Sequence, residues 1–139
     1  MKEIRLSTGR RTELIDITGR VQDAVAAGGA SSGLCVVYVP HTTAGVTINE
    51  GADPAVRLDI AAQLDRLVPW DNDYGHLEGN AAAHIKATLT GSSVVIMIEK
   101  GRPVLGTWQS VYFCEFDGPR SRRVAIRIFP APAPDNPAT

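Results

Sequence analysis

The residues best suited to chemistry lie together in the stretch HTTAGVTINE at positions 41–50, which directly follows the largely apolar run 34–40. This stretch carries an imidazole, three hydroxyls, an amide and a carboxylate. Such a set can ligate a metal ion or bind an anion. The alternative is a turn in which the threonines satisfy backbone groups and His41 only faces water.

The histidines are the second feature that could define a site. His41, His76 and His84 all fall in the two polar interruptions of the apolar pattern, with Glu50 and Glu78 close to them in sequence. The chain has no His-x-x-x-His pair and no Cys-x-x-Cys pair, so sequence spacing alone does not define a metal site. If these side chains form one site, the fold must bring them together.

The alternation of apolar residues predicts how the first stretch is held. Residues 34–39 read as a buried strand, and Ala44, Val46 and Ile48 alternate with polar residues as in a second strand. His41 is therefore expected at the end of one strand or in the bend between two.

Three helices are predicted from capping signals and apolar spacing. Thr18 can cap a short helix that carries Val21 and Val25 and stops at Gly28 and Gly29. An aspartate followed by a proline begins a second helix, which ends before the next proline. The third helix begins at Asn80 and ends at Gly91. The signals for the last two helices are Asp53, Pro54 and Pro69, and the predicted buried stripe of the third is Ala81, Ile85 and Leu89.

The remaining segments read as β-strands. Residues 3–8 and 14–17 suggest an opening hairpin, and further strands are predicted at 94–98, 104–109, 111–116 and 123–129. The strands at 34–39, 94–98 and 111–116 are apolar on both faces. Because an antiparallel sheet usually leaves one face wet, we expect two sheets packed face to face and a further layer from another subunit. The predicted fold class is α+β, with antiparallel sheets packed as a sandwich and two or three helices.

Length and composition narrow the possible functions. A chain of 139 residues suits one domain, expected over 1–129, with a proline-rich tail at 130–139. Its 14 basic and 15 acidic residues nearly cancel, which argues against nucleic acid or a membrane surface as a partner. We see no signal peptide or membrane-spanning run and expect a cytoplasmic protein whose two cysteines, Cys35 and Cys114, are reduced core residues.

Six short motifs follow one another along the chain between about residues 4 and 129. They are HTTA at 41–44, INE at 48–50, GH at 75–76, GNAAAHIK at 79–86, GTWQ at 106–109 and EFDGPR at 115–120. In these motifs the chain resembles the YjbQ-like family, also called secondary thiamine-phosphate synthases. The resemblance implies an α+β fold assembled as a homotrimer around a threefold axis, with a site where the three histidines gather and a weak ability to form thiamine phosphate.

The resemblance also implies roles for individual residues. It makes His41, His76 and His84 candidate ligands of a divalent, zinc-like metal, with magnesium as the alternative when the substrate is a diphosphate. Glu50 would be an acid/base or would anchor a ligand, and Asn49 would orient a ligand or a histidine. The residues expected to bind the phosphates of a small anionic or phosphorylated metabolite are Arg120, Thr42 and Thr43.

The sequence leaves three functions open. The first is transfer of a pyrimidine-methyl group from its diphosphate to thiazole phosphate. The second is metal-dependent hydrolysis of a small phosphorylated or ester substrate with Glu50 as the base. The third is a non-catalytic trimer that binds a metal or an anionic metabolite. For Arg120 the alternative is an ion pair with Asp117 or Glu115, and for Glu115 we expect a structural ion pair with Arg120, Arg122 or Arg123.

Overall fold

The computed structural model describes residues 1–133, which form eight strands and three helices. The strands are β1 (Lys2–Ser7), β2 (Glu13–Asp16), β3 (Gly33–Tyr38), β4 (Ala44–Glu50), β5 (Ser93–Glu99), β6 (Arg102–Pro103), β7 (Gln109–Glu115) and β8 (Ser121–Pro130). The helices are α1 (Thr18–Gly28), α2 (Pro54–Leu67) and α3 (Ala81–Thr90).

The strands form two antiparallel sheets. The larger has the order β1-β8-β3-β5-β6, and the smaller has the order β2-β7-β4. One core joins them, because Val37 and Ile96 of the larger sheet belong to the same buried cluster as Val46 and Phe113 of the smaller. This confirms the predicted α+β sandwich. A second cluster, around Tyr112, packs the other face of the smaller sheet against α2 and α3.

The predicted opening hairpin is wrong. β1 pairs with β8 in the larger sheet, whereas β2 pairs with β7 in the smaller one. The connection between them is tied down at Thr8, whose backbone N–H donates to the Arg120 carbonyl at 2.9 Å. The Thr8 hydroxyl donates to Glu115 at 2.7 Å. These long-range bonds direct the chain from one sheet to the other, and the turn residues alone do not encode them.

The strand predicted at 104–109 is also mostly absent. Only Arg102–Pro103 form a short strand, and the chain then turns, with the Gln109 N–H donating to the Gly106 carbonyl at 3.0 Å. Trp108 in this turn is 63% exposed, so it is not a core residue of the single chain.

The first two helices begin and end close to the predicted positions. α1 ends at Gly28 and is capped by Gly29, whose φ of 70° is the left-handed conformation that glycine adopts readily. Its first residue, Thr18, does not cap the helix; the hydroxyl accepts the Val111 N–H at 2.8 Å. α2 begins as predicted, with the Asp53 carboxylate accepting the Ala55 N–H at 2.9 Å.

The predicted buried stripe of α3 is wrong beyond its first residue. Ile85 and Leu89 are 39% and 61% exposed. The buried residues are instead the three alanines 81–83 and Lys86, whose ammonium pairs with Asp65 of α2. Small side chains let the helix axis approach a sheet closely. Because the alanines and Lys86 face the core, His84 lies half-buried at the border of the buried face of the helix.

The outer face of the larger sheet is bare in the single chain. Four large apolar side chains lie on it, all between 44% and 60% exposed: Leu34, Val95, Met97 and Phe129. β7, in contrast, is buried on both faces, as predicted. The double-sided apolar pattern of β3 and β5 thus marks a face that the chain does not cover itself.

The end of the domain and the prediction that no segment spans a membrane can be compared with the structure. β8 extends to Pro130, one residue past the expected domain limit, and the Ala131 N–H donates to the Ser32 carbonyl at 2.9 Å. Residues 134–139 of the predicted tail lie outside the described residues, and the division at residue 129 stays a prediction. Among residues 1–133, we find no helix that is long and apolar enough to cross a membrane.

Candidate functional site

Three chain segments meet at a cleft of about 360 Å³, which we call the histidine cleft. They are the bend between β3 and β4, the start of α3 with the loop before it, and the turn between β7 and β8. The lining residues are Pro40, His41, Thr42, Thr43, Glu78, Asn80, His84, Asp117, Arg120 and Arg122. Two of the predicted histidines and Arg120 are therefore neighbours around one cavity, although the sequence separates them widely.

His41 is fixed by the strand beside it. Its Nε2 accepts the backbone N–H of Arg123 at 3.0 Å, so the ring occupies one position at the rim of the cleft. Partial burial lowers the pKa of His41, and the neighbouring Arg122 guanidinium lowers this pKa further. A neutral imidazole that accepts at Nε2 carries its proton on Nδ1.

We expect the His41 imidazole in metal-free protein to titrate below about 6.5, the usual value for histidine. Because the unfolded chain then binds this proton more readily, the stability from His41 is present above that value and falls as the pH drops through it. NMR titration of the imidazole C–H protons measures the pKa. Arg123→Gln should raise the His41 pKa, since one cationic neighbour is removed. A His41 pKa above 6.5 in both proteins contradicts the prediction.

His76 and His84 form a close pair. Their ring centres are 5.2 Å apart and the ring planes are tilted by 60°. Two imidazoles bound to one tetrahedral ion have ring centres roughly 5 Å apart, given metal–nitrogen distances of about 2.1 Å. This pair therefore has a spacing that fits a metal ion.

The third predicted ligand does not complete the set as it stands. Among residues 1–133, no three side chains of the types that ligate metals are grouped for ligation. His41 lines the same cleft as His84, but its Nε2 lone pair is used by the Arg123 N–H. Binding a metal through Nε2 of His41 would require that hydrogen bond to break.

A hydrogen-bond network ties α3 to the turn before β8. The Asn80 amide donates through Nδ2 to Asp117 Oδ2 at 2.9 Å. Asp117 also pairs with Arg120 at 3.0 Å, and Arg120 Nε donates to the Asp117 carbonyl at 2.8 Å. The alternative ion pair for Arg120 is thus present, yet the side chain is still 53% exposed at the cleft and retains further donors.

Asn80 has an acceptor without a partner. Its Oδ1 is buried and has no hydrogen-bond partner among residues 1–133. The orientation of the amide follows from Asp117, because only the NH₂ group can donate to that carboxylate. An unpaired buried carbonyl oxygen at the cleft wall is suited to accept a hydrogen bond from a ligand.

Beneath the cleft lies a buried ion pair between Glu115 and Arg122, as expected for Glu115. Arg122 Nε donates to Glu115 Oε1 at 2.8 Å, and an Arg122 Nη donates to the hydroxyl of Thr43 at 2.8 Å. Thr43 is therefore engaged in the floor of the cleft, whereas Thr42 is exposed at its rim.

Two predicted site residues lie elsewhere in the single chain. Asn49 and Glu50 are at the far end of β4, where Glu50 pairs with Gln109 and Ala44 at the near end pairs with Glu115. The Asn49 side chain accepts the Glu50 N–H at 2.8 Å, and the Glu50 carbonyl accepts the Tyr112 hydroxyl at 3.0 Å. The structure brings neither of them into the histidine cleft.

Sequence reasoning did not identify Arg122 and Asn80 as parts of the site. The signal for Arg122 is its phase, since it lies two residues before the buried Val124 and four before Ile126, on the same face of the strand. An arginine at a core-facing strand position needs a buried anion, and Glu115 supplies it.

The two cysteines are buried core residues, as predicted. Burial raises the pKa of Cys35 to about 11 and that of Cys114 to about 12.

Comparison with known proteins gives one consistent result. Residues 2–131 match the family model described as UPF0047 protein YjbQ-like. The UPF0047 protein YugU of Bacillus subtilis is 46% identical over 129 residues, which is 92% of this chain and 98% of the relative. A UPF0047 protein of Methanocaldococcus jannaschii is 49% identical over 124 residues, covering 89% of this chain and 90% of its own length.

Solved structures share the fold. A crystal structure of a YjbQ/UPF0047 family protein from Clostridium acetobutylicum superposes with a TM-score of 0.92 at 53% identity. The match covers 93% of this chain and 100% of that one. A YbjQ-like protein of unknown function from Sulfolobus solfataricus gives a TM-score of 0.90 at 33% identity, covering 94% of this chain and 96% of that one.

Proposed function

Because the chain belongs to the UPF0047 YjbQ-like family, we propose that it binds small phosphorylated metabolites in the histidine cleft and slowly forms thiamine phosphate there. The observation that carries this proposal is the gathering of His41, His84 and Arg120 around one cavity with the Thr42 hydroxyl at its rim. These groups offer cationic and neutral donors to phosphate oxygens.

The proposed reaction is displacement at a methyl carbon. The ring nitrogen of thiazole phosphate forms a bond to the pyrimidine-methyl carbon, and the carbon–oxygen bond to diphosphate breaks, with its electron pair leaving on the diphosphate. This step removes no proton, so it needs no general base. Catalysis therefore depends on holding the two substrates and on stabilising the negative charge of the leaving group.

The need for a base separates this reaction from the hydrolase alternative. Hydrolysis requires an activated water, and Glu50, the base predicted for it, lies at the far end of β4. Asp117 at the cleft is paired with Arg120 and Asn80. Glu78 and His84 also line the cleft and can act as bases, so turnover of the two substrate classes, and not the side chains of the single chain, separates the two reactions.

A divalent metal forms part of the proposal. His76 and His84 would hold it as a pair, with His41 as the third candidate ligand. The chemistry that a divalent ion supplies when bound is stabilisation of negative charge on phosphate oxygens. Zinc suits imidazole ligands, whereas magnesium would accompany the diphosphate substrate.

The proposed assembly is a homotrimer. The exposed apolar face around Val95 and Met97 is broad for a chain that remains single, because monomers rarely leave large contiguous apolar patches in water. Other copies of the same chain would cover it. Native mass spectrometry tests this assembly: a mass of three chains is expected, and a mass of one chain contradicts it.

Purified protein incubated with the pyrimidine diphosphate and thiazole phosphate tests the activity. We expect slow formation of thiamine phosphate, detected by chromatography, and a loss of at least about tenfold in kcat/KM for Arg120→Gln. Arg66→Gln is the matched control, because this exposed arginine on α2 contacts only the neighbouring Gln63 among the described side-chain hydrogen bonds. No product from wild type with any divalent ion, or equal activity in both variants, overturns the synthase proposal.

Metal analysis tests the histidine pair separately. We expect near-stoichiometric metal in wild-type protein and its loss in His84→Ala, with His41→Ala showing whether the third histidine takes part. Wild type that stays free of metal after reconstitution contradicts the metal proposal and leaves the anion-binding cleft standing.

A further inference from the structure

A second cleft lies on the other side of His41. It has a volume of about 590 Å³, and its lining residues include Arg5 and Ser7 of β1, Ser121 and Arg123 of β8, and His41 itself. We propose that this arginine cleft is a separate binding subsite for a diphosphate or phosphate ester group.

The first argument is a pair of like charges. Arg5 and Arg123 are direct partners in the antiparallel ladder between β1 and β8. Directly opposed like charges destabilise a sheet, because the side chains of such partners leave it on the same face about 5 Å apart. A position of this kind is unfavourable for folding unless an anion lies between the two guanidinium groups.

The second argument is that, among the described ion pairs, one negative charge balances the two positive charges of these arginines. Glu3 contacts both arginines, Arg5 at 3.1 Å and Arg123 at 4.0 Å. One carboxylate therefore faces two guanidinium groups, and Glu3 does not line the cleft. In the single chain the Arg5 and Arg123 side chains are 85% and 56% exposed, so both are open to a ligand there.

The third argument is the chemistry of the neighbouring residues. Ser7 and Ser121 are the next opposed pair on the same sheet face, two residues along each strand. Two hydroxyls beside two planar guanidinium groups match the donors that phosphate oxygens accept. Among the described residues that line this cleft there is no carboxylate; Glu3, which contacts the two arginines, lies outside the lining.

The position of the cleft suggests which phosphate it takes. The histidine cleft and the arginine cleft share Pro40, His41 and Arg122 as walls. Two phosphorylated substrates could thus bind on either side of His41, one at Arg120 and one at Arg5 and Arg123. We assign the diphosphate to the arginine cleft; this assignment rests on the proposed function, whereas binding of diphosphate itself does not.

Titration calorimetry with inorganic diphosphate, in metal-free protein with chelator present, tests the subsite. We expect the double variant Arg5→Gln, Arg123→Gln to bind at least about tenfold more weakly than wild type, with binding that weakens as salt rises. Arg66→Gln removes one positive charge from an exposed helix, against two in the double variant, and should bind as wild type does. Both substituted arginines are exposed, so circular dichroism should show an unchanged fold.

Four outcomes decide the proposal. No binding to wild type overturns it, and so does equal binding by wild type and the double variant. Binding that falls in Arg120→Gln and not in the double variant places the diphosphate in the histidine cleft and also overturns it. Diphosphate binding that depends on Arg5 and Arg123 in a protein that forms no thiamine phosphate supports the subsite while contradicting the synthase.

Discussion

Replacing Arg122 by methionine is expected to lower the free energy of unfolding by about 3–5 kcal/mol. Glu115 is fully buried, at 0% exposure, and Arg122 is its guanidinium partner. Without Arg122 the carboxylate keeps, among the part of the chain that the structure describes, only the Thr8 hydroxyl at 2.7 Å and the N–H groups of Phe116 and Asp117, each at 3.1 Å. These neutral donors do not replace the positive charge that a carboxylate needs when it is buried away from water.

Chemical denaturation followed by tryptophan fluorescence measures this effect. The double variant Glu115→Leu, Arg122→Met should be less destabilised than either single variant, because it leaves no unpaired buried charge. Glu99→Gln, at an exposed position of β5, is the control and should stay within about 0.5 kcal/mol of wild type. Single variants as stable as the control would show that the pair is not needed for stability.

The same pair connects stability to the site. Through the N–H groups of Phe116 and Asp117, the Glu115 carboxylate holds the start of the turn that carries Arg120. Arg122 at the same time holds Thr43, next to the bend with His41. Variants of this pair should therefore lose ligand binding in the histidine cleft even at temperatures where they remain folded.

Replacing Gly45 by valine is expected to cost about 3 kcal/mol of stability. A Cβ atom at this position would lie 2.5 Å from the Gly91 carbonyl oxygen and 3.2 Å from the Thr90 Cγ2. The Gly91 carbonyl cannot move freely, since it accepts the Val46 N–H at 3.1 Å and follows directly after α3. The substitution must push α3 away from β4.

Thermal unfolding measures the change, with Gly45→Ala expected between valine and wild type. Gly19→Ala is the matched control, because a Cβ at Gly19 meets nothing within 4 Å and alanine is favoured over glycine in a helix by roughly 0.5–1 kcal/mol. Since α3 carries His84, the Gly45 variants should also bind metal more weakly. An unchanged melting temperature in Gly45→Val would contradict this close packing of α3 on β4.

The features that the sequence predicted correctly depend on short-range chemistry. The strand, bend and strand around His41 follow from alternation, and the start of α2 follows from Asp53 and Pro54. The left-handed end of α1 follows from Gly29. In each case residues a few positions apart decide the backbone conformation, so the sequence pattern is sufficient.

The features that it predicted wrongly depend on partners distant in sequence. Helical spacing of apolar residues places the buried side of α3 on Ala81, Ile85 and Leu89, but packing selects the three alanines 81–83 and Lys86. Hydrophobicity alone could not show that a close approach to the sheet, with Asp65 available for the lysine, outweighs burying two larger side chains.

By itself the sequence determined the α+β class, most of the local elements, the buried cysteines and the set of polar residues able to do chemistry. Only the tertiary structure decided which of them share a cavity. It joined His41, His84 and Arg120, left Asn49 and Glu50 at the other end of β4, and set Arg5 opposite Arg123. The physical reason is that strand register and helix rotation depend on the total packing of the core, and a shift of one residue turns a side chain from one face of a sheet to the other.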